Sequence, residues 1–388
     1  MSTPPLDDPG FHAGDPFPEF RALRAKPGLH WHERPGFWAA TRYEDVLAIS
    51  RSPETFCSSR GILLSDLTRE IVPRSSITYI DPPEHAKYRK LVQPAFTPGK
   101  LRALEQTIRA TARRLADALV PGEPFDFVDD FSAVLPMLVI AEMLGVPASD
   151  RDSFKRWSDA IIEAGTEQTP ENMAQTGELV AYFLSIIAER REKPGTDLIS
   201  TLVHCEIDGE RLEDFDLVAF CLTLLVAGNE TTRNLISHGV IALATHPHER
   251  ARLARAPELL PQAVEEMLRW GTPVGSFMRT ATRDVTVGQT TLRDGDRVLM
   301  LYAAANRDEA VFESDAEVFR IDRDASRHLA FGFGEHFCLG AALARMEARI
   351  AFEELLPRFS RFEIAGEIER LRSIVIRGIV RLPVVLWA

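Results

Sequence analysis

The sequence predicts a mainly α-helical fold with small β-sheets, an α+β architecture in a single domain. Three observations predict it. From about Pro83 to Pro257 apolar residues recur at helical spacing. Within that stretch, Val218–Gly228 is almost wholly apolar, which marks a helix buried on every side. Short alternating runs occur only near the N-terminus and after Pro273. The 388 residues are enough for a large core. No linker-like composition break divides them, so one domain is expected over 1–388, with 1–16 irregular.

The elements follow in order. Leu29–Glu33 and Phe37–Thr41, joined by Arg34-Pro35-Gly36, read as a hairpin. Asp81 followed by Pro82 and Pro83 reads as the N-cap and first turn of a helix. Gly99–Val120, Asp129–Leu144, Ser149–Ala164 and Glu171–Glu192 are helices closed by Gly or Pro. The longest helix spans about Glu213 to Thr245. Phe277–Val287 and Val298–Leu301 read as strands, Leu339–Leu356 as a helix and Ile374–Leu386 as strand-like.

Charge and cysteine usage exclude several functions. A net charge of −12 disfavours nucleic acid, which needs a basic footprint. Four scattered cysteines (57, 205, 221, 338) without a CxxC argue for a reducing compartment and against a zinc ribbon. The first twenty residues hold no apolar run, and no stretch of about 18 uncharged apolar residues occurs. The expectation is a cytoplasmic, monomeric protein with no membrane anchor.

The most specific signal is Phe331-Gly332-Phe333-Gly334-Glu335-His336-Phe337-Cys338-Leu339-Gly340. It sets Cys338 at or just before a helix N-terminus, where the macrodipole favours a thiolate. The glycines permit close backbone approach, and the flanking aromatics are expected to exclude water. A thiolate in such a loop suits a soft metal, above all a haem iron. A lone cysteine is more often a buried structural residue. The spacing Phe-x-x-Gly-x-x-x-Cys-x-Gly, however, arises by chance in such a chain on the order of once in a thousand.

On these residues the chain resembles the cytochrome P-450 superfamily, specifically its bacterial members. The haem-loop signature matches at Phe331, Gly334, Cys338 and Gly340, and the likeness runs from about residue 16 to the C-terminus. The resemblance implies haem b with Cys338 as axial ligand, O2 as co-substrate and hydroxylation or epoxidation of a lipophilic small molecule. A steroid, terpenoid, fatty acid or polyketide would fit.

Other motifs agree. Ala227-Gly228-Asn229-Glu230-Thr231-Thr232 lies in the long helix, with Ala227 and Thr231 on one face. A mid-helix glycine costs about 1 kcal/mol, which room for a bulky ligand would offset. The resemblance implies that Thr231 hydrogen-bonds dioxygen and that Glu230 relays protons. It makes Glu266 and Arg269 a buried structural pair. Val318 stands where many relatives carry a third-arm Arg, so Arg320 or Arg323 is expected to replace it. It assigns His85, Arg89, Arg279 and His336 to the haem propionates. Leu63, Leu64, Ile71, Val72, Leu224, Gly228, Val274, Phe277, Met278 and Ile374 match substrate-pocket positions, each also open to an ordinary core role.

No dinucleotide fingerprint is present. Electrons are therefore expected ultimately from NAD(P)H, through a ferredoxin or flavodoxin with its reductase. Lys87–Arg114, eight basic residues against Glu105, is the expected docking patch, near the Cys338 loop. Two other readings compete. A peroxide-driven peroxygenase would usually lack the acid–threonine pair, and a thiolate-haem sensor or carrier would be expected to have an output domain.

Overall fold

The computed structural model describes residues 4–68, 76–164, 169–206 and 209–388; side chains at 162–164 lie outside that description. Ile71 and Val72, two of the expected pocket residues, fall outside the described residues. The principal helices are α1 (Glu84–Val92), α2 (Pro98–Ala118), α3 (Val134–Met143), α4 (Arg151–Ala164), α5 (Pro170–Glu192), α6 (Asp214–Thr245), α7 (Leu260–Gly271) and α8 (Ala341–Leu355). The strands are β1 (His30–His32), β2 (Phe37–Ala40), β3 (Phe56–Cys57), β4 (Pro124–Asp126), β5 (Ser276–Ala281), β6 (Arg297–Leu301), β7 (Arg361–Ile364) and β8 (Pro383–Trp387).

The expected hairpin forms as β1 and β2, with Trp31 opposite Trp38. It joins a sheet of order β1-β2-β6-β5-β3, in which β2 runs parallel to β6 and the other pairs are antiparallel. A second sheet, β4-β8-β7, closes the C-terminal side. The expected strand over Phe277–Val287 is in fact two, β5 and Val285–Val287, and Ile374–Leu386 becomes Ile379–Arg381 and β8. Pro383 lacks an amide to continue a ladder, so the break falls before it.

The helical body is built around α6. Its composition and length would allow it to cross a membrane. Here α3, α5, α7 and α8 pack around it, and its Leu225, Leu235, Ile236 and Val240 belong to one continuous core. Two glycines of α6 allow close approach. A Cβ on Gly239 would stand 2.5 Å from Phe352 Cζ of α8 and 2.8 Å from Met267 Sδ of α7. A Cβ on Gly228 would stand 2.8 Å from Ile140 Cδ1 of α3. Gly228 is thus accounted for by a helix crossing, not by the ligand room its position suggested.

Asp81 also departs from expectation. The residue preceding α1 is Pro83, and the Asp81 carboxylate instead accepts the amides of Ser58 at 2.7 Å and Ser59 at 3.2 Å. It ties the chain after β3 to the start of α1, a pairing across 23 positions. Its backbone still serves the helix, since the carbonyl accepts His85 N at 3.0 Å.

Candidate active site

The cysteine loop lies ahead of α8, as the glycine pattern suggested. Gly332 and Gly334 have φ of +68° and +72°, a left-handed region that suits glycine. A Cβ on Gly334 would stand 2.5 Å from the Ser50 carbonyl oxygen. Gly340 has an ordinary backbone, and the space at its Cβ position is open. Cys338 N donates to Phe331 O at 2.9 Å, closing the loop. The helix begins only at Ala341, three residues past the cysteine. Cys338 keeps accessible surface, yet protein rings it closely enough that burial pushes its thiol up. The Gly340 amide, Arg89 and Arg345 pull the other way. The expected aromatic shield is also partial: Phe333 and Phe337 are exposed, while Phe331 is half-buried.

Beside the loop stands a cluster of basic side chains, two arginines and two histidines. The rings of His85 and His336 lie 4.3 Å apart, and Arg89 Nη1 donates to Glu335 O at 3.0 Å. Ser58 Oγ is 3.2 Å from His336 Nε2. Arg279 on β5 is buried, and among the described residues its side chain bonds only to the Met278 carbonyl, at 2.8 Å. Burial, then Arg279, His85 and Arg89, pushes the His336 imidazole down to about 3. Burial and Arg89 lower His85 as well. These groups repel one another, and the only acid within ion-pair reach among the described residues is Glu335, 4.0 Å from His85. A buried guanidinium without a carboxylate is costly, so the cluster is built for an anionic partner.

On α6, Leu224, Ala227 and Thr231 share one face, and all three keep accessible surface. Their neighbours Leu225, Asn229, Glu230 and Thr232 are buried. The stripe is therefore the accessible side of this stretch of α6, the side on which a recess for a ligand would lie. Thr231 Oγ1 donates to Ala227 O at 2.6 Å. Burial raises the Glu230 carboxyl above its ordinary range, against the pull of Arg233 at 3.7 Å.

The expected pocket residues divide. Leu63, Leu64, Leu224, Val274, Phe277 and Ile374 are half-buried. Met278 is a core residue: it packs with Phe37 and Leu299 on the face of β5 opposite Phe277 and Arg279. Strand alternation sets Phe277, not Met278, on the side of Arg279.

The Glu266–Arg269 pair is closed and complete. Arg269 Nε and Nη2 meet the Glu266 carboxylate at 2.6 and 2.7 Å, with both side chains fully buried. Arg269 also donates to the carbonyls of Asn306, Ala316 and Val318. The third arm is Arg323, whose Nε is 3.4 Å from Glu266 Oε1, and the Arg320 amide adds a bond at 3.0 Å.

Arg345 belongs to none of the sequence motifs. Its guanidinium lies 4.6 Å from the Phe331 ring centre and pairs with Glu265 at 2.7 Å. Glu265 also meets His328 at 3.2 Å; despite burial, these partners bring its carboxyl down to about 2. A cation one turn into the helix after the cysteine loop was a readable signal.

Comparison with known proteins decides the family. The cytochrome P450 family model matches residues 169–373. Linalool 8-monooxygenase of Pseudomonas putida is 35% identical over 405 residues, covering 100% of this chain and 99% of its own. The methyl-branched lipid omega-hydroxylase of Mycobacterium tuberculosis is 39% identical over 90% of this chain and 84% of its own. The chain belongs to the cytochrome P450 family. A crystal structure of CYP109E1 from Bacillus megaterium with testosterone matches at TM-score 0.87 and 37% identity, covering 96% of this chain and 99% of that one. This P450 is accordingly an oxidoreductase, a monooxygenase that uses haem b and O2. Its electrons come from NAD(P)H through partner proteins, and its substrate is lipophilic. The accessible Cys338 sulfur and the anion-seeking cluster of His85, Arg89, Arg279 and His336 fit a haem with two propionates.

Proposed function

We propose that this P450 is a cytoplasmic, monomeric, single-domain monooxygenase. It hydroxylates or epoxidises a terpenoid, steroid, fatty-acid or polyketide substrate with electrons from a ferredoxin or flavodoxin. Cys338 Sγ would hold the haem iron, and His85, Arg89, Arg279 and His336 would take the propionates. When bound, the haem supplies the centre at which dioxygen is reduced. The observation that carries this reading is the buried Arg279, short of an anion, in the cluster beside an accessible Cys338.

The chain's own residues do the remaining work. Thr231, whose hydroxyl now donates to Ala227 O, can turn it into the recess. Glu230, raised by burial, holds a proton more readily than a surface glutamate and can pass it along α6. Leu224, Phe277, Val274 and Ile374 offer an apolar wall that orients substrate by shape and excludes water. The names of its relatives, a linalool monooxygenase and a branched-lipid hydroxylase, and the testosterone bound by CYP109E1 support an apolar compound.

The docking patch is narrower than the basic run suggested. Arg109 pairs with Glu353 at 2.6 Å, Arg113 with Glu354 at 3.3 Å and Lys87 with Glu210 at 3.6 Å. Lys90, Arg102 and Arg114 remain exposed and have no ion pair among the described residues.

The test is spectroscopic. The reduced, haem-loaded chain with carbon monoxide is expected to show the far-shifted Soret band of a thiolate ligand, and Cys338→Ala to lose it. Absence of the band from the intact haem-loaded chain overturns the reading. Titration with linalool, testosterone and a branched fatty acid is then expected to shift the Soret band to the blue for at least one of them.

A further inference from the structure

Away from the cysteine loop, the described residues line a half-open cavity of about 380 Å3 between the N-terminal segment, the C-terminal half of α6, the end of α7 and the chain near Arg370–Arg377. Four arginines line it, at positions 21, 307, 370 and 377, against two carboxylates, Asp15 and Glu317. The wall thus carries an excess of two positive charges.

Arg21 and Arg307 share the one carboxylate Glu317, and among the described residues Arg370 and Arg377 have none. Arg307 is 4% exposed. Its Nη2 donates to Trp270 O at 3.0 Å, and its guanidinium lies 3.4 Å from the Phe17 ring centre. Its Nε is 3.5 Å from Glu317 Oε2 but makes no hydrogen bond. Glu317 is already shared, meeting Arg21 and Arg24 at 3.3 Å each. Arg377 covers the same Phe17 ring at 4.6 Å and spends its Nε on Gly271 O at 2.9 Å. Among the described residues neither Arg370 nor Arg377 has a carboxylate within ion-pair distance, and Arg370 makes no side-chain hydrogen bond. Asp15 acts on both only from a distance. Burial, reinforced by neighbouring arginines, depresses Arg307 and Arg377, the latter to about 10; burial alone lowers Arg370. His238 cannot supply the missing charge. Burial and Arg377 push it down to about 3, and its Nε2 is committed to Arg377 O at 2.8 Å.

Guanidinium groups that converge on one cavity and outnumber its carboxylates suit an oxyanion that bridges them. We propose that this cavity binds a small doubly charged oxyanion, of phosphate or dicarboxylate type, between Arg307, Arg370 and Arg377. The fork geometry of arginine suits two oxygens at once. The Phe17, Pro18, Ile241 and Trp270 side of the cavity accommodates a short apolar stem on the anion. The site is independent of the haem cluster, and its ligand need not be the substrate.

The test uses the full, haem-loaded chain at constant ionic strength, titrated by calorimetry with inorganic phosphate in one arm and succinate in the other. Saturable binding of at least one is expected. Arg370→Gln, and separately Arg377→Gln, are expected to weaken it about 10- to 100-fold, the loss of a charge-assisted hydrogen bond. The exposed Arg156→Gln leaves it unchanged. Phosphate binding alone identifies a phosphate-type ligand and succinate alone a dicarboxylate. Absence of saturable binding in both arms overturns the proposal, as does binding that survives both cavity variants. Retention of the thiolate spectrum in the variants separates loss of this site from loss of the fold.

Discussion

Two groups of buried charge in this P450 follow opposite plans. Around Glu266 every donor has an acceptor: two guanidinium groups and a backbone amide converge on one carboxylate, and Arg269 spends its remaining donors on carbonyls. Around Arg279 four cation-forming side chains crowd together, and the acid nearest them barely reaches one histidine. The first group is finished within the chain. The second is finished only by something brought to it. Sequence motifs of similar appearance, a carboxylate–arginine spacing and a histidine–arginine spacing, thus separate into brace and binding site by charge balance.

That contrast can be broken at several points. The largest effect is expected at Arg269→Ala, which leaves Glu266 buried with part of its partners gone. Removing one partner of a buried pair costs about 3–5 kcal/mol, so the denaturant midpoint of the haem-loaded chain should fall accordingly. A midpoint within experimental error of the parent chain would show the network to be dispensable. Arg279→Gln should instead act on haem retention. Loss of one charge-assisted bond weakens haem binding about 10- to 100-fold, read as faster haem transfer to excess apomyoglobin. If it unfolds the chain as Arg269→Ala does, the two groups are not different in kind.

A third measurement concerns pH. His238 is held near 3 by burial, with Arg377, Arg370 and Arg307 also opposing its charge; an unfolded histidine titrates near 6.5. Because the unfolded chain binds the proton first, stability falls as pH drops below about 6.5 and continues to fall to about 3. The slope for one proton is about 1.4 kcal/mol per pH unit. His238→Asn should flatten acid unfolding by that increment and leave stability above pH 7 without a new slope. The smallest effect is expected on the surface. Arg102→Glu should slow ferredoxin-driven reduction by up to about fivefold at low salt and less at high salt. Arg109→Glu should lower stability rather than only the rate, because it sets a carboxylate against Glu353.

The helical body, the N-terminal hairpin, the cysteine loop and the Glu266–Arg269 pair were legible because each is written in a local spacing. What escaped local reading was written across the chain. Asp81 looked like a helix cap because its nearest neighbours in sequence are helical, but its partners are the amides of Ser58 and Ser59. Gly228 looked like space for a ligand, while its real neighbour is Ile140 on another helix. Met278 and Phe277 are adjacent, and only the register of β5 against β6 tells which one faces the core with Phe37. The basic run over Lys87–Arg114 could not reveal that α8 brings Glu353 and Glu354 to pair with two of its arginines, Arg109 and Arg113.

Gly239 has a wider bearing than its size suggests. Three helices meet where its side chain is missing: the one that carries Thr231, the one that carries the Glu266–Arg269 brace and the one that follows the cysteine loop. Even a single methyl group there would wedge them apart. The mutual spacing of these three helices is therefore gauged by an absent atom, and through it the spacing of Thr231, the brace and the cysteine loop.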